Sequence, residues 1–189
     1  MSRGVDIVLI GGSAGSLQVI IQLLKDLKSD FPFPIFIIIH RKSNDENLLE
    51  DLLQRYTKIP VRECFDKMPI TSPGIYLVPA NYHLLFESRS EIALDVSEKI
   101  NYSRPSIDVT FRSAGEVFGS RVIAILLSGA NADGTEGLRY VQKEGGQIWV
   151  QEPDSAEVPY MPRSATTELS CDEIIPGQLL SSFVNNLTD

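Results

Sequence analysis

Five consecutive small residues, Gly11-Gly12-Ser13-Ala14-Gly15, fit the pattern G-x-S-x-G. In that pattern a strand-to-helix turn too tight for large neighbours projects a serine hydroxyl outward. Such a hydroxyl attacks an acyl carbon only when a base takes its proton. The chain has two histidines, and one of them, His40, directly follows the apolar run Ile35 to Ile39. Asp133 lies in Ser128-Gly129-Ala130-Asn131-Ala132-Asp133-Gly134, directly after a further apolar run, Val122 to Leu127. A hydroxyl to attack, an imidazole to take the proton and a carboxylate to fix the imidazole tautomer are the parts of a Ser-His-Asp triad. Each residue alone has a plainer reading: a glycine-rich turn can cradle a phosphate at a helix N-terminus, a lone histidine is usually structural, and an aspartate in a turn often caps a helix. Their coincidence carries the weight.

The elements that must position these residues follow from hydrophobic patterning. Val5 to Ile10 is an almost continuous apolar run, as expected for a strand buried on both faces. After Gly15, Leu17, Ile20, Ile21, Leu23, Leu24 and Leu27 recur at helical spacing. Ile35 to Ile39 is a second strand, followed by a helix marked by Leu48, Leu49, Leu52, Leu53 and Tyr56; Val122 to Leu127 is a third, followed by a helix through Leu138 and Val141. Ile148 to Val150 and Ile174 to Ile175 add strands, and Gln178 to Leu187 closes the chain as a helix. Strands alternating with helices predict a doubly wound α/β domain with a mainly parallel sheet. Ser13, His40 and Asp133 then all stand at the carboxyl ends of strands, where ligand crevices form in open α/β sheets. The middle of the chain breaks the rhythm. Ile75 to Val78, Leu84 to Glu87 and Ile92 to Val96 read as short strands joined by turns, an antiparallel hairpin or meander appended to the sheet. No repeat or linker divides residues 1–189, so a single domain is expected.

Composition narrows the function classes. The chain has 189 residues, 43% of them hydrophobic, and a net charge of -8, which disfavours nucleic-acid binding. Cys64 and Cys171 form no C-x-x-C pair and no histidine cluster accompanies them, so neither a disulfide framework nor a metal site is expected, and a reducing cytoplasm fits. No segment has the length of a membrane span, and the first residues do not make a signal peptide. A dinucleotide cofactor would call for G-x-G-x-x-G, but Ser13 stands at the third position and Ser16 at the last; no P-loop string occurs either. No cofactor is expected.

At this point the sequence resembles a known family, the catalytic domain of the chemotaxis receptor methylesterase (CheB). The matching stretches are GGSAG, the IIIH strand end, IYLVPANYHLLFE, RPSIDVTFRSAGEVFG, LLSGANADGTEGL and VQEPDSAEVPYMPRSA, and the likeness runs from about Val5 to about Phe183. The resemblance implies a serine hydrolase that removes methyl groups from receptor glutamates and deamidates receptor glutamines, acting on methyl-accepting chemotaxis receptors in the cytoplasm without being a membrane protein itself. It places the nucleophile at Ser13, the base at His40 and the aspartate at Asp133, the residues that the strand ends already single out. Backbone N–H groups near Ala14 and Ala130 are candidates for holding the oxyanion. Arg41, Lys42 and Arg104 are candidates for a cationic rim that docks an acidic helical segment of the receptor. His83 is expected to be structural or peripheral to the site, Ser103 or Ser106 to cap a helix, and Asp108 to support the site. Two departures stand out. Gly129-Ala130-Asn131 replaces the family's usual Gly-Met-Gly, and the chain starts at the catalytic strand, so no receiver domain is expected. The rival expectation is a catalytically silent signalling or binding module of the same fold; a phosphate-binding α/β protein is a weaker third.

Overall fold

The computed structural model describes residues 4–41 and 48–188. In chain order its main elements are β1 (Ile7–Gly12), α1 (Leu17–Asp26), β2 (Pro34–Ile39), α2 (Leu48–Gln54), β3 (Val61–Glu63), β4 (Gly74–Leu77), β5 (His83–Phe86), β6 (Ile92–Asp95), α3 (Ile107–Phe118), β7 (Val122–Leu126), α4 (Thr135–Lys143), β8 (Gln147–Gln151), α5 (Tyr160–Glu168), β9 (Glu173–Ile175) and α6 (Leu180–Asn185). β1, β2, β4 and β7 are buried at every position, as strands covered on both faces must be.

Seven strands pair in parallel in the order β3-β4-β2-β1-β7-β8-β9. Alternate residues feed two cores. Val8, Ile10, Ile35 and Ile37 pack with Ile20, Leu23 and Leu24 of α1 and Leu180 and Val184 of α6. Ile7, Leu9, Phe36 and Ile38 pack on the other side with Ile107 and Phe111 of α3, Leu138 of α4 and Met161 of α5. The period-two alternation of strand side chains thus supplies both layers of helices with a partner. No helix among the described residues is long and apolar enough to cross a membrane.

Two differences from the sequence reading concern the strands. β1 runs on through both glycines, since Gly11 and Gly12 pair with Ile38 and Ile39. A Cβ at Gly11 would lie 2.6 Å from Ile107, so the missing side chain lets α3 press against the sheet. The middle region divides differently from the appended meander. The buried GIYL run of β4 is a parallel member of the main sheet, between β2 and the short edge strand β3. Only β5 and β6 form the antiparallel hairpin, as a separate two-stranded sheet. Continuous apolar character is the mark of a strand buried on both faces, and GIYL carries it as clearly as β2 does.

Strand order reverses direction between β1 and β7: the chain winds from β1 towards β2 on one side, and β7 starts the other half. Ligand crevices open at such a switch point. Ser13 follows β1, and the loop carrying Asp133 follows β7.

Candidate active site

The turn after β1 is built from short side chains because nothing longer fits. The Ser13 carbonyl accepts hydrogen bonds from the Ser16 N–H (3.1 Å) and the Ser16 hydroxyl (2.7 Å), closing the turn. A Cβ at Gly12 would lie 2.5 Å from Ser16, and Gly15 has φ +78° with only 2.7 Å to Glu157 and Ser128, so both positions exclude side chains. Ser128, buried at the end of β7, ties the turn down from the neighbouring strand. Its carbonyl accepts the Ser13 N–H (2.9 Å), and its hydroxyl donates to the Ala14 carbonyl (2.7 Å) while accepting from Val158 N–H (2.9 Å). Its own N–H donates to Gln151 Oε1 (2.9 Å). Ser128 and Gln151 were not singled out in the sequence, and no local motif marks them.

His40 enters from β2. Gly12 pairs with Ile39, and the His40 N–H donates to the Gly12 carbonyl (3.2 Å), so Ser13 and His40 leave adjacent strands side by side. His40 Nε2 lies 2.7 Å from Asp133 Oδ2. The imidazole is slightly exposed and the carboxylate fully buried. With Nε2 turned to the carboxylate, Nδ1 is the nitrogen left to act as base.

Asp133 is buried not against its own helix but on the N-terminus of α3. Besides His40, its carboxylate accepts from the Ile107 N–H (2.7 Å), the Asp108 N–H (3.0 Å) and the Ser106 hydroxyl (3.1 Å). These are the cap and first two residues of α3, whose orphan amides and dipole favour a negative charge. Burial pushes the Asp133 carboxyl up, but His40 and the Asp108 and Ile107 amides outweigh it and hold the group below its ordinary value. The carboxylate is therefore ionised at neutral pH. One side chain thus meets both the His40 ring and the first amides of α3, whose own cap is Ser106.

His83 supports this arrangement from one step further out. Buried at the start of β5, it accepts the Ser106 N–H on Nδ1 (3.1 Å) and donates from Nε2 to the Glu98 carbonyl (2.9 Å). Ser106 caps α3 by accepting from Val109 N–H. Asp108 Oδ1 accepts from Gly134 N–H (2.9 Å) and Gly137 N–H (2.7 Å), joining α3 to α4.

Burial, reinforced by the Asp133 charge, pushes the Asp108 carboxyl up from 3.8 to about 7. The native state thus holds a proton that the unfolded chain releases across that window. The stabilising contribution is complete below the unfolded value and is lost as pH rises through the folded one. Asp108→Asn keeps an oxygen for Gly134 and Gly137 but does not titrate. Across that window its melting temperature is expected to rise relative to wild type by roughly 3–8 °C, as thermal melts at the two ends would measure. A constant offset would show that Asp108 does not titrate there.

Of the oxyanion candidates, Ala14 and Ala130 are exposed at the rim of the site, and the N–H of neither has an acceptor among the described residues. Gly129, directly before Ala130, is buried. A Cβ there would stand 2.0 Å from Met161 Sδ and 3.0 Å from Ser13 Cβ, so the Ser13 side chain and the buried thioether together demand glycine. Gly129→Ala is expected to displace the turn by about an ångström and to cost on the order of 10²-fold in turnover of a small ester. Wild-type turnover in this variant would mean that Gly129 does not set the Ser13 position.

The expected cationic rim looks different in the structure. Arg41 is largely buried, donates to Glu63 at the end of β3, and approaches the Val78 carbonyl at 3.4 Å. Arg104 Nη1 donates to the carbonyls of Val96 and Ser97, both at 2.7 Å. Both guanidinium groups are engaged in holding loops together, because carbonyls and a carboxylate at strand ends compete successfully with solvent for them. Lys42 lies outside the described residues.

The sequence model of the family described as CheB methylesterase matches residues 8–184, nearly the whole chain. The chain belongs to this family. A Leptospira interrogans relative, provisionally named protein-glutamate methylesterase/protein-glutamine glutaminase, is 37% identical over 89% of this chain and 87% of its own length. Relatives of that name from Saccharophagus degradans (32% identical) and Thermotoga maritima (30%) cover 91% and 90% of this chain, which spans 47% and 51% of their lengths. The crystal structure of the Thermotoga maritima CheB methylesterase catalytic domain superposes with a TM-score of 0.92 at 28% identity, covering 98% of this chain and all of that one. The parallel sheet, its helical layers and the small hairpin are the family's fold.

Proposed function

We propose that this chain is a protein-glutamate methylesterase, with glutamine deamidase activity of the same kind, acting on chemotaxis receptors in the cytoplasm through Ser13, His40 and Asp133. The observation that carries the proposal is the 2.7 Å bond between His40 and a buried, ionised Asp133, on a strand end directly beside Ser13. A purely binding protein has no use for a buried carboxylate spent on orienting an imidazole next to a half-buried serine.

In the reaction, His40 Nδ1 takes the Ser13 proton as Oγ attacks the side-chain acyl carbon. The tetrahedral oxyanion is held by the Ala14 and Ala130 N–H groups. The imidazolium, stabilised by Asp133, then protonates the leaving methoxide or amine, and methanol or ammonia departs with an acyl-serine left behind. Water, deprotonated by His40, attacks the ester, and glutamate leaves as Ser13 recovers its proton.

The substrate segment is a receptor helix bearing glutamates, and residues 1–189 supply one catalytic unit. With Arg41 and Arg104 engaged internally, recognition of that segment rests on the shape of the Ser13 rim more than on their charge. Methanol release from methylated receptors incubated with the purified protein tests the proposal. Steady release supports it, and binding without release leaves only a silent module.

A further inference from the structure

The base nitrogen of His40 already has a partner. Asn131 Oδ1 accepts the Asp133 N–H at 3.0 Å, which fixes the orientation of the amide, because a backbone donor can face only its oxygen. The amide nitrogen is thereby turned to His40 and lies 3.4 Å from Nδ1. The other ring nitrogen, Nε2, gives its proton to Asp133, so Nδ1 of the neutral ring carries the lone pair and can only accept. Asn131 Nδ2 is therefore the donor to that lone pair. Among the described residues no side chain bonds to the Ser13 hydroxyl, the group whose proton Nδ1 must take.

We infer that Asn131 is a positioning residue that competes with Ser13 for the base: its amide occupies the Nδ1 lone pair in the resting enzyme and must be displaced before each proton transfer. This inference rests on the triad proposed above. Two consequences follow from hydrogen-bond chemistry. The bond selects the tautomer that catalysis needs, with the lone pair on Nδ1. Once Nδ1 carries the Ser13 proton, however, it faces the N–H groups of an amide that cannot accept, so Asn131 has to give way. The bond is long for its type, as suits a contact that yields to the serine. Removing one weak neutral hydrogen bond from the competition is worth roughly three- to ten-fold in turnover.

The test uses the nitrogen-15 resonance of His40 Nδ1 in the neutral protein, which moves to higher shift when its lone pair loses a donor. The inference expects the resonance to be the same in wild type and Ser13→Ala, and to move to higher shift when Asn131→Ala is added to Ser13→Ala, which leaves neither donor at Nδ1; Asn131→Ala alone turns over a small ester roughly three- to ten-fold faster with KM little changed. Asn131→Ser separates this from a merely structural role. Its hydroxyl can accept the Asp133 N–H within the same turn but is too short to reach Nδ1, so a structural Asn131 would be replaced by Ser without change, whereas a competing one gives the faster turnover of Asn131→Ala. A shift in Ser13→Ala, an unmoved resonance in the double variant, a slower Asn131→Ala enzyme, or wild-type turnover of Asn131→Ser each overturns the inference. Failure of the esterase proposal reads differently: methanol release survives Ser13→Ala, whatever the resonances do.

Discussion

Ser13→Ala is expected to fold with wild-type stability and to lose methanol release by a factor of about 10³ to 10⁶. The loss follows from chemistry, since alanine has nothing to acylate. The fold survives because what holds the turn is not the Ser13 side chain: the bonds run through the Ser13 backbone, Ser16 and Ser128. Triad members act as a unit, so adding His40→Ala to Ser13→Ala should cost little more than either alone. A multiplicative loss in the double variant would mean that the two residues serve different steps.

Replacing Asp133 should have the largest combined effect on activity and stability. Its two fully buried oxygens serve four donors, on His40, Ile107, Asp108 and Ser106. In Asp133→Ala these donors lose their acceptor together, which is expected to destabilise the protein by about 3–5 kcal/mol. Activity goes with the imidazole's orientation. Asp133→Asn keeps the shape but turns an N–H₂ group towards donors, and should lower turnover by roughly 10⁴-fold, as for a triad whose carboxylate is made neutral. Chemical denaturation and ester hydrolysis on both variants would check these figures. An Asp133→Ala protein as stable as wild type would show that α3 does not need the carboxylate at its N-terminus.

The strand ends bearing Ser13, His40 and Asp133 were legible in the sequence because each follows an uninterrupted apolar run, and such runs report strands buried on both faces. What surrounds them was not. The seat of Asp133 on α3 joins residues 25 to 27 positions apart, and no periodicity encodes which helix start will meet which loop. Ser128 holds the Ser13 turn across 114 residues through a hydroxyl that looks like any turn serine. The charges beside His40 suggested a solvated rim, yet whether an arginine faces water depends on the carboxylates and carbonyls that the fold brings to it, here Glu63 and Val78 for Arg41. The same limit applies to β4: its apolar run was visible, but its parallel pairing with β2 arises from a crossover that no turn residue announces. Asn131 was visible as a departure from the family pattern, and only its distance to Nδ1 gives that departure a chemical meaning.

Covalent capture tests most directly whether Ser13 is the nucleophile. The purified protein is treated with a small fluorophosphonate ester, digested, and the modified residue located by mass spectrometry. One label per chain on Ser13, absent from Ser13→Ala and strongly slowed in His40→Ala, is the predicted result. No label, or a label on another serine with methanol release intact, would contradict the assignment.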